Sequence, residues 1–367
     1  MTTPPERDLE AWLRLALVPR VGPVAQRKLL ERFGSAREAL AAPAGEVAHV
    51  LGDMTAAREF ARGADATAVA KALAWSAIDG NHVVTFADDV YPRMVREIHD
   101  APSVLYVRGR TEILNTPALA IVGSRNPTPQ GVRDAEAFAR SLADAGLTIV
   151  SGLALGIDAA AHRGGLCGAS ASIGVLGTGV DRIYPPANAE LGERLAVEGC
   201  LVSELALGTP AHPRNFPRRN RLISGLSRGV LVVEAATESG SLITARAALD
   251  QGRDVFAIPG SIHAPLAKGC HALIKDGAKL VECVADVLQE LRMAVPCDDR
   301  AAERETAPRD AVLRAMGHAS LSIDQLVVLT GFAAPQLAAH LARLEMHGRV
   351  CALPGGRFQR AAERVIE

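Results

Sequence analysis

The segment from 214 to 229, RNFPRRNRLISGLSRG, contains five arginines and no carboxylate, although the 367-residue chain has a net charge of only −1. No acidic residue occurs between Leu205 and Val233. A local run of cations suits a polyanion, because each neutralised phosphate releases counterions and the contributions add. Phe216 lies between Arg214 and Arg218 and offers an aromatic face on which an unpaired base can stack. The segment therefore predicts contact with single-stranded nucleic acid.

Two other interpretations of this segment stay open. Phe216 could pack in the core, and some of the arginines could pair with acids elsewhere in the chain. Only five of the 40 basic residues are lysines, so an arginine here carries less information than usual. Pro213 and Pro217 favour an extended loop that exposes at least some of the arginines. Arg228 directly precedes an apolar strand and is interpreted as structural.

Glycine and hydroxyl residues follow several apolar, β-rich runs of the chain. In an open parallel sheet, ligands bind beyond the carboxyl ends of the strands, where backbone amides and hydroxyls can hold phosphates. These turns and the arginine segment are therefore predicted to form one groove for an extended phosphate chain. Its candidate residues are Gly123, Ser124, Arg125, Gly152, Gly156, Arg214, Phe216, Arg218, Arg219, Asn220, Arg221, Ser239, Gly240 and Ser241.

The common signatures of catalysis and cofactor binding do not occur in the sequence. There is no G-x-G-x-x-G, no lysine-bearing P-loop, no H-E-x-x-H and no G-x-S-x-G. Asp158 and His162 are four residues apart on one helical face, but no third ligand lies within sequence reach, so a structural role is favoured over a metal site. The sequence predicts no cofactor, no metal and no catalytic residue.

Compartment and redox state are predicted from composition. No apolar run reaches the ~18 to 20 residues of a membrane span, and the first ten residues lack the basic and apolar regions of a signal peptide. The six cysteines form no Cys-x-x-Cys pair, so reduced, mostly buried thiols are predicted. We expect a cytoplasmic protein without membrane insertion.

The hydrophobic periodicity divides the chain into domains. Helical patterns broken by a Pro-Arg-Val-Gly-Pro turn predict a small helical-hairpin (SAM-like) domain over 1–65, whose hairpin either binds a phosphate or only packs. Alternating strand-like and helix-like segments over 82–292 predict an α/β Rossmann-like domain with a mainly parallel sheet. Residues 293–308 are a predicted linker. Three helix-like pieces and a hairpin over 309–367 predict a winged helix, which serves DNA binding in some proteins and protein docking in others.

Together these motifs resemble the DNA-processing protein A (DprA, or Smf) family. The residues between 91 and 109 resemble the family's lead-in, and the flanking helical and winged-helix units match a common family layout. The matching stretches are, in order, IVGSRNPTPQG, SGLALGIDAAAHRGGL, GVLGTGVDRIYPPAN, NFPRRNRLISGLS, ESGSLITARAALDQGRDVFAIPG and GCHALIKDGA.

The resemblance implies a non-enzymatic, sequence-independent single-stranded DNA-binding protein of natural transformation. Such a protein protects incoming DNA and loads the recombinase RecA onto it, and it forms a homodimer through the Rossmann-like domain. The resemblance also implies that Phe216 stacks on a base. It further implies that the DNA groove is lined by Arg125, Arg218, Arg219, Arg221 and the turn at 239–241.

Two departures from the family pattern affect this transfer. Family members often carry a lysine shortly before the Phe-Pro pair, where this chain has Pro213, Arg214 and Asn215, and the role is assigned here to Arg214. His271 stands where the family usually has asparagine, which leaves the role of that turn open.

Two other functions remain as alternatives. Lysine-decarboxylase-like phosphoribohydrolases carry P-G-G-x-G-T-x-x-E at an equivalent strand end, and their glutamate acts on a nucleoside monophosphate. The comparable residues 238–244, ESGSLIT, lack the double glycine and the downstream glutamate, so a catalytic carboxylate has no evident place. A pure protein-docking scaffold is the third possibility, and it would bind no oligonucleotide at low salt.

Overall fold

The computed structural model describes residues 8–294, 311–317 and 319–361, so the predicted linker lies outside the described residues from position 295. The described residues begin with a helical domain. Asp8 caps the first helix by accepting a hydrogen bond from the Ala11 amide at 3.2 Å, and Gly34 ends the second helix at a φ of 87°. The helices are α1 (Leu9–Ala16), α2 (Pro23–Phe33), α3 (Ala36–Ala41), α4 (Ala44–Leu51), α5 (Met54–Arg62) and α6 (Ala66–Ser76).

The described part of the central domain forms a nine-stranded sheet in the order β1-β2-β6-β5-β4-β3-β7-β8-β9. Its strands are β1 (Asn81–Thr85), β2 (Val104–Gly109), β3 (Ala118–Gly123), β4 (Thr148–Ser151), β5 (Ser172–Val175), β6 (Cys200–Ser203), β7 (Gly229–Val233), β8 (Asp254–Ala257) and β9 (Lys279–Leu280). Strands β3 to β9 pair in parallel, whereas β1 and β2 form an antiparallel edge on β6. The mainly parallel sheet predicted from the sequence is confirmed.

Helices cover both faces of this sheet, because the parallel strands are apolar and buried along most of their length. The helices are α7 (Arg93–Arg96), α8 (Pro129–Asp144), α9 (Ile157–Cys167), α10 (Ala189–Glu198), α11 (Asn215–Gly225), α12 (Ser241–Asp250), α13 (Lys268–Lys275) and α14 (Val284–Glu290). The strand order reverses between β3 and β7, and in such folds this switch point is where ligands bind.

The helical domain shares a hydrophobic core with the antiparallel edge of the sheet. Leu13 of α1 and Ala72 of α6 pack with Val83 and Tyr106 of the two edge strands. Gln26 adds a buried polar link, because its amide donates to the Val21 carbonyl at 2.7 Å and its oxygen accepts from the Ser103 hydroxyl at 2.6 Å. The two domains are therefore held together by apolar and polar contacts.

The C-terminal domain is a winged helix, as the sequence predicts. Its small core contains Leu313, Leu326, Leu337 and Leu341. Its elements are α15 (Ala311–Met316), β10 (Leu321–Ser322), α16 (Ile323–Thr330), α17 (Ala334–Met346), β11 (Val350–Leu353) and β12 (Arg357–Arg360). Among the described helices none alone has the length and apolar character of a membrane span; only α16 and α17 taken together, bent by 108°, meet that test.

Candidate nucleic-acid interface

The arginine segment folds as helix α11 and not as the extended loop expected from its two prolines. Pro217 lies in the first turn of this helix, where the backbone amides have no intrahelical acceptor and proline is tolerated. The helical spacing separates the arginines by face. Adjacent cations in the sequence therefore point to different surroundings.

Arg125 and Arg214 are the exposed cations of the predicted set that have no carboxylate partner among the described residues. Arg214 donates from Nε to His212 Nδ1 at 3.2 Å, at the start of α11. The Arg125 guanidinium carbon lies 5.8 Å from the centre of the Phe216 ring, within range of a cation–π contact. Phe216 is half-buried, so it is neither a core residue nor a fully exposed one. These three side chains form the open part of the interface.

Arg218 and Arg221 are paired with acids. Glu204, at the carboxyl end of β6, forms an ion pair with Arg218, whose Nε lies 3.0 Å from the carboxylate, and accepts a hydrogen bond from Arg221 Nη2 at 2.5 Å. Arg221 also contacts the Asp100 carboxylate at 3.0 Å and leaves only 12 % of its side chain exposed, whereas Arg218 leaves 48 %. The Glu204 side chain is only 3 % exposed, and its carboxylate neutralises part of the charge of these two arginines. The positive charge available to a ligand is therefore smaller than the number of arginines indicates.

Arg219 lies inside the domain. It is 5 % exposed, and its Nη1 donates to the Val175 carbonyl at 2.6 Å. Its guanidinium lies directly against Gly152, where a Cβ atom would approach Nη1 to 1.9 Å. Burial lowers the pKa of Arg219 to about 10, and the neighbouring Asp158 opposes that shift. Its charge thus faces a protein carboxylate, and Gly152 provides the space for its guanidinium.

Asp158 and His162 make only structural hydrogen bonds with described residues. Asp158 accepts from the amides of Gly152 and Ala154 at 3.1 and 3.3 Å. His162 accepts from the Leu153 amide at 3.3 Å and contacts the Ser172 hydroxyl at 2.8 Å. Burial lowers the pKa of His162 to about 3, so its ring is neutral. The described residues contain no group of three metal-ligating side chains.

The turn at 123–125 meets β7 at the switch point, where a carboxylate of the protein occupies the start of α8. Glu234 accepts from the Thr128 amide at 2.7 Å and from the Thr128 hydroxyl at 2.5 Å, and its carbonyl accepts from the Ser124 amide at 2.7 Å. Burial raises the pKa of Glu234. Ser124 is nearly buried, and Gly156 packs against its carbonyl at the start of α9. These residues fix the backbone that carries Arg125, and the start of α8 has no room for a phosphate.

The turn at 239–241 is the most open of the predicted phosphate cradles. Gly240 has free space around it, and α12 begins there without a side-chain cap. The hydroxyls of Ser239 and Ser241 contact each other at 2.7 Å, and the Asn220 amide of α11 donates to the Gly240 carbonyl at 3.4 Å. This turn therefore lies beside α11, as the groove hypothesis requires.

Some residues with an effect on this surface were not predicted from the sequence. Glu204 and Glu234 are the acids that end the acid-free stretch on each side, and both turn toward the site. Asp100 is remote in sequence, and nothing in its local pattern indicates the contact with Arg221. Arg228 donates to the Leu291 carbonyl at 2.6 Å, in keeping with its interpretation as structural.

The fold and this surface define a class: a Rossmann-like protein with a cationic, aromatic ligand edge, flanked by a helical-hairpin domain and a winged helix. The chain belongs to the DNA recombination-mediator protein A family, whose model matches residues 82–292. The DprA-like N-terminal HHH domain matches residues 6–56, and the DprA winged helix domain matches residues 296–356. The family resemblance recognised in the sequence is confirmed.

Relatives and solved structures agree with this membership. Protein Smf of Escherichia coli is 40% identical over 305 residues, which cover 80% of this chain and 82% of that protein. The X-ray structure of DNA processing protein A from Streptococcus pneumoniae has a TM-score of 0.69 at 37% identity and covers 78% of this chain and 98% of its own. The structure of DNA processing protein A from Helicobacter pylori, whose single-stranded DNA binding mode has been described, has a TM-score of 0.52 at 30% identity. The match covers 57% of this chain and 96% of that chain.

Proposed function

We propose that this protein binds single-stranded DNA without sequence preference along the carboxyl edge of its parallel sheet. The observation that carries the proposal is the row formed by Arg125, Phe216 and the start of α11. Arg125 and Arg214 provide unpaired positive charge for phosphates, and Phe216 provides a ring for a base. Phosphate contacts and ring stacking read no base edge, which suits a sequence-independent binder.

We extend the proposal to the biological role that family membership suggests. The protein acts in natural transformation, protects incoming DNA and loads the recombinase RecA onto it. It works in the cytoplasm, as a homodimer through its Rossmann-like domain, and it catalyses no reaction. A monomer in sedimentation at working concentration, or RecA filaments that form on oligo-dT no faster with the protein than without it, would contradict these parts.

A phosphoribohydrolase remains the rival function, and the site gives it little support. Three carboxylates at this edge are committed to the protein: Glu204 to two arginines, Asp158 to two amides and Glu234 to Thr128. Glu238, beside the turn at 239–241, is exposed. A general acid or base needs a carboxyl group within reach of the substrate. Release of free base from nucleoside monophosphates by the purified protein would favour the rival.

Arg125→Ala tests the proposed site directly. We expect the affinity for oligo-dT, and for single-stranded oligonucleotides of any other base composition, to fall about fivefold to tenfold. The slope of log K against log salt should become shallower by about 0.7, because one phosphate contact is lost. Binding is measured by fluorescence anisotropy in a salt series with the full-length protein. Wild-type protein is expected to prefer oligo-dT to duplex of equal charge.

Arg140→Ala is the matched control for this variant. Arg140 is an exposed arginine toward the other end of α8, away from the carboxyl edge. It should leave both affinity and slope unchanged. Equal losses in the two variants, or equal wild-type affinity for oligo-dT and duplex, would reject the proposed groove.

A further inference from the structure

Tyr184 is an exposed aromatic residue at the carboxyl edge of the sheet. Among the aromatic side chains that the structure describes, only Tyr184 and Phe332 are exposed, at 45% and 43%. Phe332 lies in the winged helix, between α16 and α17. Tyr184 follows β5 in the loop that leads to α10, on the same edge as the turns described above. Its hydroxyl makes no hydrogen bond within the described part of the chain.

The Tyr184 ring continues the row of groups that contains Phe216. The two ring centres are 5.9 Å apart with an angle of 40° between the ring planes. Phe216 packs on Gly177, where a Cβ atom would approach the ring to 2.8 Å, and the Arg125 guanidinium lies over it. Much of the Phe216 ring is thus already in contact with protein. Tyr184 presents the more accessible aromatic surface.

The loop that carries Tyr184 is held on both sides. The Thr178 hydroxyl donates to the Arg182 carbonyl at 2.5 Å, and Asp181 accepts from the Gly208 amide at 2.7 Å. On the other side, the buried Asn188 amide donates to the Leu153 carbonyl at 2.9 Å. A ring with two side-chain torsions on a fixed loop loses little conformational entropy when it binds a ligand. An exposed aromatic ring on a fixed loop beside Phe216 is therefore suited to contact a ligand.

We infer that Tyr184 forms a second base-stacking subsite next to Phe216, for an unpaired nucleobase of the bound strand. The inference deepens the proposed function and rests on it. The 40° between the two rings means that they cannot lie flat on one base, so each ring serves a different base of the strand. Stacking reads no base edge, so this subsite adds affinity for unpaired over paired strands without adding sequence preference.

Tyr184→Ala and Tyr184→Phe in the full-length protein test the inference against two ligands, oligo-dT and an abasic oligonucleotide of the same length. We expect Tyr184→Ala to bind oligo-dT about fivefold to tenfold more weakly and the abasic strand as wild type does, since only the stacked base is lost. Tyr184→Phe keeps the ring and should match wild type on both ligands. Phe332→Ala removes an equally exposed aromatic residue from the winged helix and should also match wild type.

The outcomes separate the inference from the function on which it rests. Wild-type protein that fails to bind oligo-dT at low salt would reject the proposed function. Wild-type binding with an unchanged Tyr184→Ala would reject only the stacking subsite. Equal losses on both ligands, an equal loss in Phe332→Ala, or a loss in Tyr184→Phe would also reject it. Because Tyr184 is exposed, the unfolding midpoint of Tyr184→Ala should equal that of wild type.

Discussion

Arg219→Ala should destabilise the protein by about 3–5 kcal/mol, whereas Arg218→Ala, one residue earlier, should change the free energy of unfolding by about 1 kcal/mol or less. Arg219 is almost fully buried and donates to the Val175 carbonyl at 2.6 Å. Burial raises the pKa of Asp158, and the positive charge of Arg219 opposes that rise. Its removal leaves that carboxylate without a counter-charge and opens a cavity over Gly152. Arg218 is half exposed, and Arg221 keeps Glu204 paired when Arg218 is lost.

Urea unfolding of the two single variants measures this difference. A double-mutant cycle with Asp158→Asn then tests its cause, because the asparagine removes the charge that Arg219→Ala leaves unpaired. We expect Asp158→Asn to be less destabilising in the Arg219→Ala background than in wild type. If Arg219→Ala is as stable as wild type but binds oligo-dT weakly, Arg219 contacts the DNA in the groove, contrary to its buried position.

This result would change how arginine variants of α11 are interpreted. A double alanine variant at 218 and 219 combines loss of a surface cation with loss of a structural one. Weaker DNA binding by that variant could therefore result from unfolding of the protein as well as from loss of a DNA contact. Arg125 and Arg214 are better probes, since both are exposed and have no carboxylate partner among the described residues.

The sheet and its domains could be predicted because each strand carries its own signal. An apolar run such as ALAIVG predicts a buried parallel strand, whichever strands lie next to it in the sheet. The antiparallel pairing of β1 and β2 was not predicted, because pairing direction depends on which strands meet and not on the composition of either. Helix α6 also falls in a stretch, 66–81, that no predicted domain contains.

The site was predicted less completely, because charge pairing is decided in three dimensions. The acid-free stretch from Leu205 to Val233 is real, yet Glu204 and Glu234 lie just outside its ends and both contact the predicted groove residues or their turns. The helix at α11 then turns Arg219 inward and Arg218 outward. Sequence spacing gives the number of cations, whereas their exposure requires the fold.

Glu204→Gln should weaken the fold and strengthen DNA binding at the same time. The Glu204 carboxylate is 3 % exposed and neutralises Arg218 and Arg221, so its loss leaves a partly buried cation pair and destabilises the protein by about 1–3 kcal/mol. The same change frees the Arg218 guanidinium for a phosphate. We therefore expect oligo-dT affinity at low salt to rise about fivefold, and the salt slope to increase by about 0.7.

Glu193→Gln is the control for net charge. Glu193 forms an exposed ion pair with Arg108, which lies on β2 beside the amino end of β6, so this variant makes the same charge change away from the groove. A gain in oligo-dT affinity in Glu204→Gln and not in Glu193→Gln would mean that Arg218 contacts the bound DNA. Equal gains in both variants would indicate a general field effect. A folded Glu204→Gln that binds no more tightly than wild type would mean that Arg218 serves Glu204 and not DNA, and would leave Arg125 and Arg214 as the phosphate contacts of this edge.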